Sequence, residues 1–182
     1  MDSAASFSPV ASAGQLVQTA FVTLDIHSTI KEMTRRLGVG PWFLRERGVF
    51  PRQNYRGKPT DTALAIAMGY AGDMQFELIQ QLDDTPSVYR EILDRSGPGL
   101  HHFGMAAKDY GAALDHYASA GYELAYEAEV ANGARVGYFD TKGALPAMIE
   151  VIEFLPATAK MFAGFREAAC GWDGRDPVRP RT

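Results

Sequence analysis

The sequence contains a single cysteine, no long apolar run and no large excess of either charge. Because Cys170 has no partner within the chain, it forms no internal disulfide, which is typical of a protein kept in a reducing cytoplasm. No segment approaches the roughly 20 apolar residues that a membrane-spanning helix requires. The formal net charge of −4 argues against nucleic-acid binding through a basic face. We therefore expect a cytoplasmic protein without nucleic-acid or membrane partners.

The composition is that of an ordinary globular domain. At 182 residues, with 46% hydrophobic and 22% charged side chains, the chain can bury a sizeable core. The Ser/Ala-rich residues 1–14 lack the basic start and the apolar run of a signal peptide, and they predict a flexible N-terminal arm. Residues 158–182 predict a C-terminal helix followed by an irregular tail.

One short strand pattern occurs twice along the chain. The first copy opens with LVQTAFVTLDI and closes with MQFELIQ, and the second opens with GLHHFGMAAKDY and closes with AMIEVIEF. Aligning the opening segments on their aspartates places Gln18 opposite His102, and aligning the closing segments places Glu77 opposite Glu150. Each half therefore contributes one potential metal ligand from its first strand and one from its last.

The hydrophobic patterning divides the chain into two modules with the same plan. Residues 15–84 and residues 99–157 each read as a strand, a helix and three further strands, and residues 85–98 read as a linker helix. A βαβββ unit leaves one face of its sheet uncovered, so two copies gain by packing edge to edge. The prediction is an α+β fold in which two tandem βαβββ modules form one curved mixed sheet, with the helices on its convex side.

Strand alternation decides which side chains face the concave side of this sheet. Successive residues of a strand point to opposite faces, so Gln18 shares its face with Ala20 and Val22. The matching register of the second half selects His102 for the concave face and places His101 among the helix-facing residues. A slip of one residue would reverse that choice.

The four repeated polar residues, Gln18, Glu77, His102 and Glu150, predict a divalent metal site. A lone carboxylate in an apolar strand such as MIEVIEF costs several kcal/mol to bury, and a cation offsets that cost. The mixed nitrogen and oxygen donors suit Zn²⁺, Ni²⁺, Co²⁺, Mn²⁺ or Fe²⁺. Taken singly, each residue is more often a hydrogen-bonded polar residue on a strand. Their matching positions in a repeat favour the metal site.

The pocket above the ion is expected to have an apolar lining and to suit a hydrophobic substrate. The residues that we predict to contact the substrate are Trp42, Phe43, Phe50, Met68, Tyr70, Tyr138 and Met148. Core packing is the alternative role for the aromatic residues among them. Arg45, Arg47 and Arg52 either meet an anionic group of the substrate or lie in solvent.

The four polar positions resemble the metal-binding positions of the vicinal oxygen chelate superfamily, which includes glyoxalase I, methylmalonyl-CoA epimerase, extradiol dioxygenases and bleomycin-resistance proteins. The similarity covers residues 16–154 and rests on two short motifs. One is the strand-to-helix opening H-x-x-x-x-x-x-D, present as His102–Asp109 and, with glutamine at its head, as Gln18–Asp25. The other is the closing strand (I/F)EL(I/V). The Gln/Glu/His/Glu set looks like one found in glyoxalase I, whereas methylmalonyl-CoA epimerases commonly differ at the positions of Gln18 and Glu77.

The resemblance implies a metal-dependent isomerase, epimerase or lyase that removes a proton next to a carbonyl of a small hydrophobic or acyl-thioester substrate. It implies Glu150 as the first choice for the catalytic base, with Glu77 as the balancing carboxylate ligand and second catalytic residue. Two alternatives stay open. One is a non-catalytic small-molecule binding protein on the same fold, and the other is a metal-dependent dioxygenase, which Gln18 disfavours because extradiol enzymes use histidine there. Members of this superfamily complete the site within one chain or across a dimer, so a homodimer is also left open.

Overall fold

The computed structural model describes residues 13–48 and 50–181, which form eleven strands and four helices. The first half contains β1 (Gln15–Val22), α1 (Ile26–Leu37), β2 (Trp42–Gly48), β3 (Arg52–Tyr55), β4 (Lys58–Pro59), β5 (Leu64–Ala71) and β6 (Met74–Gln81). The linker helix and second half contain α2 (Val88–Ser96), β7 (Gly99–Ala107), α3 (Tyr110–Ser119), β8 (Glu123–Glu129), β9 (Arg135–Asp140), β10 (Met148–Glu153), α4 (Pro156–Ala169) and β11 (Val178–Pro180). Residues 1–12 of the predicted N-terminal arm lie outside the described residues.

All eleven described strands belong to one curved, unclosed mixed sheet, in the order β11-β2-β5-β6-β1-β7-β10-β9-β8-β3-β4. At its centre β1 and β7 pair antiparallel and join the two halves. β1 also pairs in parallel with β6, as β7 does with β10. Each half thus brings its first and last strands side by side. The predicted α+β fold with a single curved mixed sheet is confirmed.

The β3–β4 hairpin shows how strongly the sheet curls. Its two-residue turn, Arg56–Gly57, has positive φ angles at both positions, which matches a type I′ turn. β3 follows β2 after only residues 49–51, yet it pairs with β8 near the opposite end of the sheet. The chain from Gly48 to Arg52 spans at most about 14 Å, so the two ends of the sheet approach each other. The sequence patterning did not predict this hairpin, because its strands are short and polar.

The helices α1 and α3 cover the convex face, as predicted. Ile26 and Ile30 of α1 pack against Leu78 of the sheet, and Tyr110 and Ala113 of α3 pack in the equivalent core of the second half. These contacts bury the apolar stripe of each helix against one face of the sheet.

Both of these helices begin after an aspartate that caps their first turn. Asp25 Oδ1 accepts a hydrogen bond from the backbone N–H of Ser28 at 3.0 Å, and Asp109 Oδ1 accepts one from Ala112 at 2.9 Å. Such N-caps typically stabilise a helix by about 1 kcal/mol. Helix capping therefore explains the aspartate that recurs in the two opening segments.

The helices α2 and α4, which lie outside the two predicted modules, cover the concave side. Tyr89 of α2 and Phe162 of α4 join the concave core, and Phe165 of α4 stacks on Phe43 with ring centroids 4.0 Å apart. The concave face of an open sheet carries apolar residues that must be covered, and these helices cover them.

Among the described helices, none has both the length and the apolar character to cross a membrane.

Candidate metal centre

Neighbouring strands at the centre of the sheet place the four predicted ligands on its concave face. Ala20 on β1 pairs with Glu77 on β6 and with His102 on β7. In the adjacent row Gly104 on β7 pairs with Gln18 on β1 and with Glu150 on β10. The four side chains therefore occupy two consecutive rows of one face, and all of them come from one chain.

Glu77, His102 and Glu150 converge on one buried point. One potential ligand atom of each lies within 4.8 Å of the others. The Nε2 atom of His102 lies 3.1 Å from Glu150 Oε2 and 3.4 Å from Glu77 Oε2. The imidazole is fully buried, and both glutamates are buried as well. Two carboxylates so close together in a dry environment are costly unless a positive charge compensates them.

Gln18 lies in the row beside this cluster, opposite Gly104. A Cβ atom at Gly104 would lie 2.7 Å from Gln18 Oε1 and 2.9 Å from Gln18 Cβ, so the missing side chain provides the space for the carboxamide. Gln18 is 1% exposed, and neither its Nε2 nor its Oε1 atom has a hydrogen-bond partner among the described residues. An unpaired buried amide typically costs about 1–3 kcal/mol, so this group needs a partner.

The donor set fits a divalent cation. Within residues 13–48 and 50–181, Glu77 Oε2 and His102 Nε2 are also buried without a directed hydrogen bond. Together with Gln18 and Glu150 they offer oxygen donors and one imidazole nitrogen, a mixture suited to Zn²⁺, Ni²⁺, Co²⁺, Mn²⁺ or Fe²⁺. Coordination would satisfy these unpartnered atoms at the same time. The four residues therefore fit the divalent metal ion that the sequence analysis predicted.

Burial and the charges within the cluster together have the net effect of raising the pKa values of Glu77 and His102. Burial by itself lowers the pKa of His102, but the nearby carboxylates of Glu150 and Glu77 outweigh burial and raise this pKa to about 9. Burial raises the pKa of Glu77, while His102 opposes the rise and Glu150 adds to it. The two carboxylates thus favour a positive charge between them, which a proton on His102 or a divalent cation can supply.

His101 also reaches this side of the sheet, which corrects the prediction from strand alternation. The register of β7 against β1 shifts at this residue, which indicates a bulge. A bulge re-aims side chains, so two consecutive residues can serve the same face. His101 Nδ1 lies 2.9 Å from His102 Nδ1, and the His101 ring stacks on Tyr89 of α2. This contact engages Nδ1 of His102 and leaves its Nε2 facing the carboxylates.

A cavity of about 330 Å³ opens beside the cluster. Gln18, Glu77 and Glu150 line it from the central strands, and its other walls are largely apolar. Met161 and Phe162 of α4 contribute to those walls. A cavity of this size and character suits a small molecule with an apolar part.

The predicted substrate contacts divide into two groups on the concave face and one outlier. Phe50, Met68 and Tyr138 line the cavity. The concave core that surrounds the cavity contains three more of the predicted residues: Phe43, Tyr70 and Met148. Trp42 lies on the opposite face, buried beneath α1, where its Nε1 donates a hydrogen bond to Thr34 Oγ1 at 3.0 Å. Strand alternation places Trp42 and Phe43 on opposite faces, so Trp42 is a core residue and not part of the cavity wall.

Several cavity residues were missed by the sequence analysis. Tyr89, Phe162 and Arg181 come from α2, α4 and the C-terminal segment, which lie outside the repeated strand pattern that guided the prediction. Tyr126 on β8 also lines the cavity, and alternation along that strand was the signal that could have identified it. Three arginines were expected either to meet an anionic group of the substrate or to lie in solvent. Arg45 lines the cavity, whereas Arg47 and Arg52 are exposed.

Solved structures share this fold. A hypothetical protein from Bacillus halodurans aligns with a TM-score of 0.57 and 17% identity, covering 76% of this chain and 92% of that protein. Methylmalonyl-CoA epimerase from Mycobacterium tuberculosis aligns with a TM-score of 0.54 and 21% identity, covering 80% of this chain and 91% of the epimerase. A variant of Streptomyces coelicolor methylmalonyl-CoA epimerase, in complex with 2-nitronate-propionyl-CoA, aligns with a TM-score of 0.53 and 16% identity. This alignment covers 77% of this chain and 94% of the epimerase. At these identities the likeness shows the fold alone.

Sequence comparison identifies the family. Comparison with curated proteins gives no match. The sequence model of the Glyoxalase/Bleomycin resistance protein/Dioxygenase superfamily matches residues 17–138, which is more than half of the chain. The matched span includes Gln18, Glu77 and His102, three of the four candidate ligands. The chain therefore belongs to the Glyoxalase/Bleomycin resistance protein/Dioxygenase superfamily.

Proposed function

We propose that this protein is a metal-dependent enzyme that removes a proton from a carbon next to a carbonyl group, as an isomerase, epimerase or lyase does. The observation that carries the proposal is the buried convergence of Glu77, His102 and Glu150, with Gln18 beside them, at a largely apolar cavity. A site that only sequesters hydrophobic molecules has no use for two buried carboxylates flanking a histidine, because their burial is costly.

The four residues would hold a divalent cation through the glutamate oxygens, the Nε2 atom of His102 and the amide oxygen of Gln18. When bound, such an ion acts as a Lewis acid that polarises the substrate carbonyl and stabilises the negative charge left on its oxygen. Because Gln18 is neutral, the donor set carries two negative charges rather than three. That keeps the site more electrophilic than a set with a third carboxylate.

Glu150 is our first choice for the base. Its carboxylate takes the proton from the substrate carbon, and the electron pair of the broken C–H bond moves into the carbonyl system. Returning the proton to the same or a neighbouring carbon completes an isomerisation without any net change of oxidation state. Glu77 stands at the matching position of the other half and also lines the cavity. Carboxylates on either side of His102 are suited to exchange protons on both faces of a substrate, as epimerisation requires.

The cavity favours a substrate with a small hydrophobic acyl or hydroxy-carbonyl portion. Its volume of about 330 Å³ admits such a portion rather than the whole of a coenzyme A thioester. Methylmalonyl-CoA epimerases share the fold, which makes acyl thioesters a sensible first class to test. Small hydroxy- or keto-carbonyl compounds form the second class.

Metal analysis of the purified protein, together with proton exchange in D₂O on both substrate classes, tests the proposal. We expect about one divalent ion per chain, most of which His102→Ala should lose. Glu150→Gln should retain folding and lower exchange at least about a hundredfold, because it removes the base. Glu153→Gln is the matched control. Glu153 lies on the same strand as Glu150, but it forms an ion pair with Arg135 and does not line the cavity.

Metal content and exchange that stay like wild type in both site variants would contradict the proposal. A second candidate function, non-catalytic binding of a hydrophobic molecule, is favoured by the largely apolar cavity walls. It predicts tight ligand binding to metal-free protein and no exchange at any substrate carbon.

A further inference from the structure

We propose that Arg45 and Arg181 form an anion-binding subsite in the cavity, so that the substrate carries a carboxylate or phosphate group in addition to its carbonyl. The pairing of this anion with an enolisable carbonyl rests on the proposed function. The subsite itself rests on the placement of the two arginines and on the charges that line the cavity.

Arg181 reaches the cavity because the C-terminal segment is fixed to the edge of the sheet. β11 pairs in parallel with β2, and the backbone N–H of Arg181 donates a hydrogen bond to the carbonyl oxygen of Leu44 at 2.9 Å. Its Nη1 atom lies 3.6 Å from the sulfur of Met68, which pairs across the strands with Glu77. The guanidinium therefore lies over the concave face, one strand away from a candidate metal ligand.

Arg45 approaches the same region from β2. It pairs with Ile66 on β5, and Ile66 shares its face with Met68 because residues two apart on a strand point the same way. Both arginines line the cavity. Burial lowers the pKa of Arg181, an effect that Glu77 opposes and Arg45 reinforces. Two positive charges therefore lie close enough to repel each other in a partly dry environment.

The donors of this arginine pair are available to a ligand. Within residues 13–48 and 50–181, no carboxylate oxygen lies within 4.0 Å of either guanidinium, and the Nε atom of Arg181 is buried without a hydrogen-bond partner. A guanidinium presents five N–H donors in a planar fork that matches the oxygens of a carboxylate or a phosphate. An anion that reached both side chains would satisfy donors that the protein leaves unused.

The charges of the cavity point to the same conclusion. The ionisable carboxylates and guanidiniums that line it are Glu77, Glu150, Arg45 and Arg181, which sum to zero. A divalent cation held by the two glutamates would neutralise them and leave the two arginine charges uncompensated. A carboxylate on the substrate offsets one of these charges, and a phosphate dianion offsets both. The rival explanation, in which the arginines serve only to neutralise the glutamates, predicts no preference for anionic ligands.

Calorimetric titration of the full chain tests this subsite with three probes: 3-phenylpropionate, 3-phenylpropyl phosphate and the neutral 3-phenylpropionamide. Each probe is titrated into metal-free protein and into protein loaded with Co²⁺. We expect at least one anion to bind about tenfold or more tightly than the amide, because charged hydrogen bonds are strong in a dry site. The ranking of the two anions distinguishes a carboxylate site from a phosphate site.

Arg45→Gln and Arg181→Gln should each remove most of that preference in both forms of the protein. Arg47→Gln is the matched control, since Arg47 lies on the same strand but is exposed. Thermal unfolding establishes that each variant folds. Equal binding of the anions and the amide, a preference that survives in both site variants, or no binding below about 10 mM for any probe would overturn the subsite. If the arginine effect persists but Co²⁺ binds nowhere, the proposed metal-dependent function fails and the subsite stands.

Discussion

Gly104 faces Gln18 across the central pair of strands, and the carboxamide of Gln18 fills the space that a side chain at Gly104 would take. This relationship makes the glycine a determinant of the candidate metal site, although glycine itself has no ligand to offer. A close approach of this kind tolerates no added atom without a local shift.

The first prediction follows directly from that packing. Gly104→Ala should lower the free energy of unfolding by about 1–3 kcal/mol and weaken divalent-metal binding about tenfold or more, because the new methyl group displaces Gln18. Gly99→Ala is the control, since Gly99 lies on the same strand and an added Cβ there would meet no other atom within 4 Å. Metal titration and thermal unfolding measure both effects. Equal metal affinity in the two variants would show that Gln18 is not a ligand.

The second prediction concerns the contact between His101 and His102. His101→Ala should reduce metal affinity about 10- to 100-fold while leaving all four candidate ligands in place, because the partner that orients the His102 ring is lost. His27→Ala, a change of the same size at an exposed histidine, should leave the affinity unaltered. If His101→Ala binds metal as tightly as wild type, His101 has no orienting role.

The third prediction concerns the ion-pair network that fastens α2 and the β3–β4 hairpin to the second half. Arg56 donates to Glu91 at 2.7 Å, to Glu123 at 2.8 Å and to Asp140 at 3.0 Å. Arg56→Gln should lower the free energy of unfolding by about 1–2 kcal/mol, because a network with partly buried members contributes more than an isolated surface pair. Arg52→Gln, which removes one exposed pair on the same hairpin, should have a smaller effect.

This network also sets a pH dependence. Hydrogen bonding to Arg56 lowers the pKa of Glu91 below its ordinary value of 4.5. A carboxylate with a depressed pKa in the folded state stabilises the fold above its unfolded pKa, and that contribution is lost as the pH falls through the folded value. The stability difference between wild type and Arg56→Gln should therefore be constant near neutral pH and shrink below about pH 4.5. Urea unfolding over this range measures it, and a gap that widens in acid would contradict the assignment.

The fourth prediction separates the two faces of β2. Trp42→Phe should destabilise the protein, because it removes the hydrogen bond to Thr34 from a buried core, and it should leave ligand affinity unchanged. Phe50→Ala should lower ligand affinity and change stability little, since Phe50 lines the cavity and is only partly buried. Chemical unfolding and titration with 3-phenylpropionate provide the two measurements. Reduced affinity in Trp42→Phe at unchanged stability would place this tryptophan back in the binding site.

Much of the candidate site follows from local rules. The duplicated segments, the alternation of side chains along strands and the matched positions of Gln18, Glu77, His102 and Glu150 are all readable without coordinates. The repeated aspartates mark helix starts for a reason that is equally local, since an N-cap bonds only to its own first turn. Alternation and capping depend on neighbours a few residues away, and the repeat is visible when the two halves are compared, so the sequence carries these features directly.

Other features depended on contacts between distant segments. The bulge that brings His101 beside His102 arises from pairing with β1 and cannot be read from the residues of β7 alone. Tyr89 and Arg181 reach the cavity because α2 and β11 dock on the sheet through long-range packing and backbone pairing. The chain thus determined which donors were available and which face they occupied. Only the tertiary structure decided what covers them, because docking energies depend on surfaces that exist once the sheet has curled.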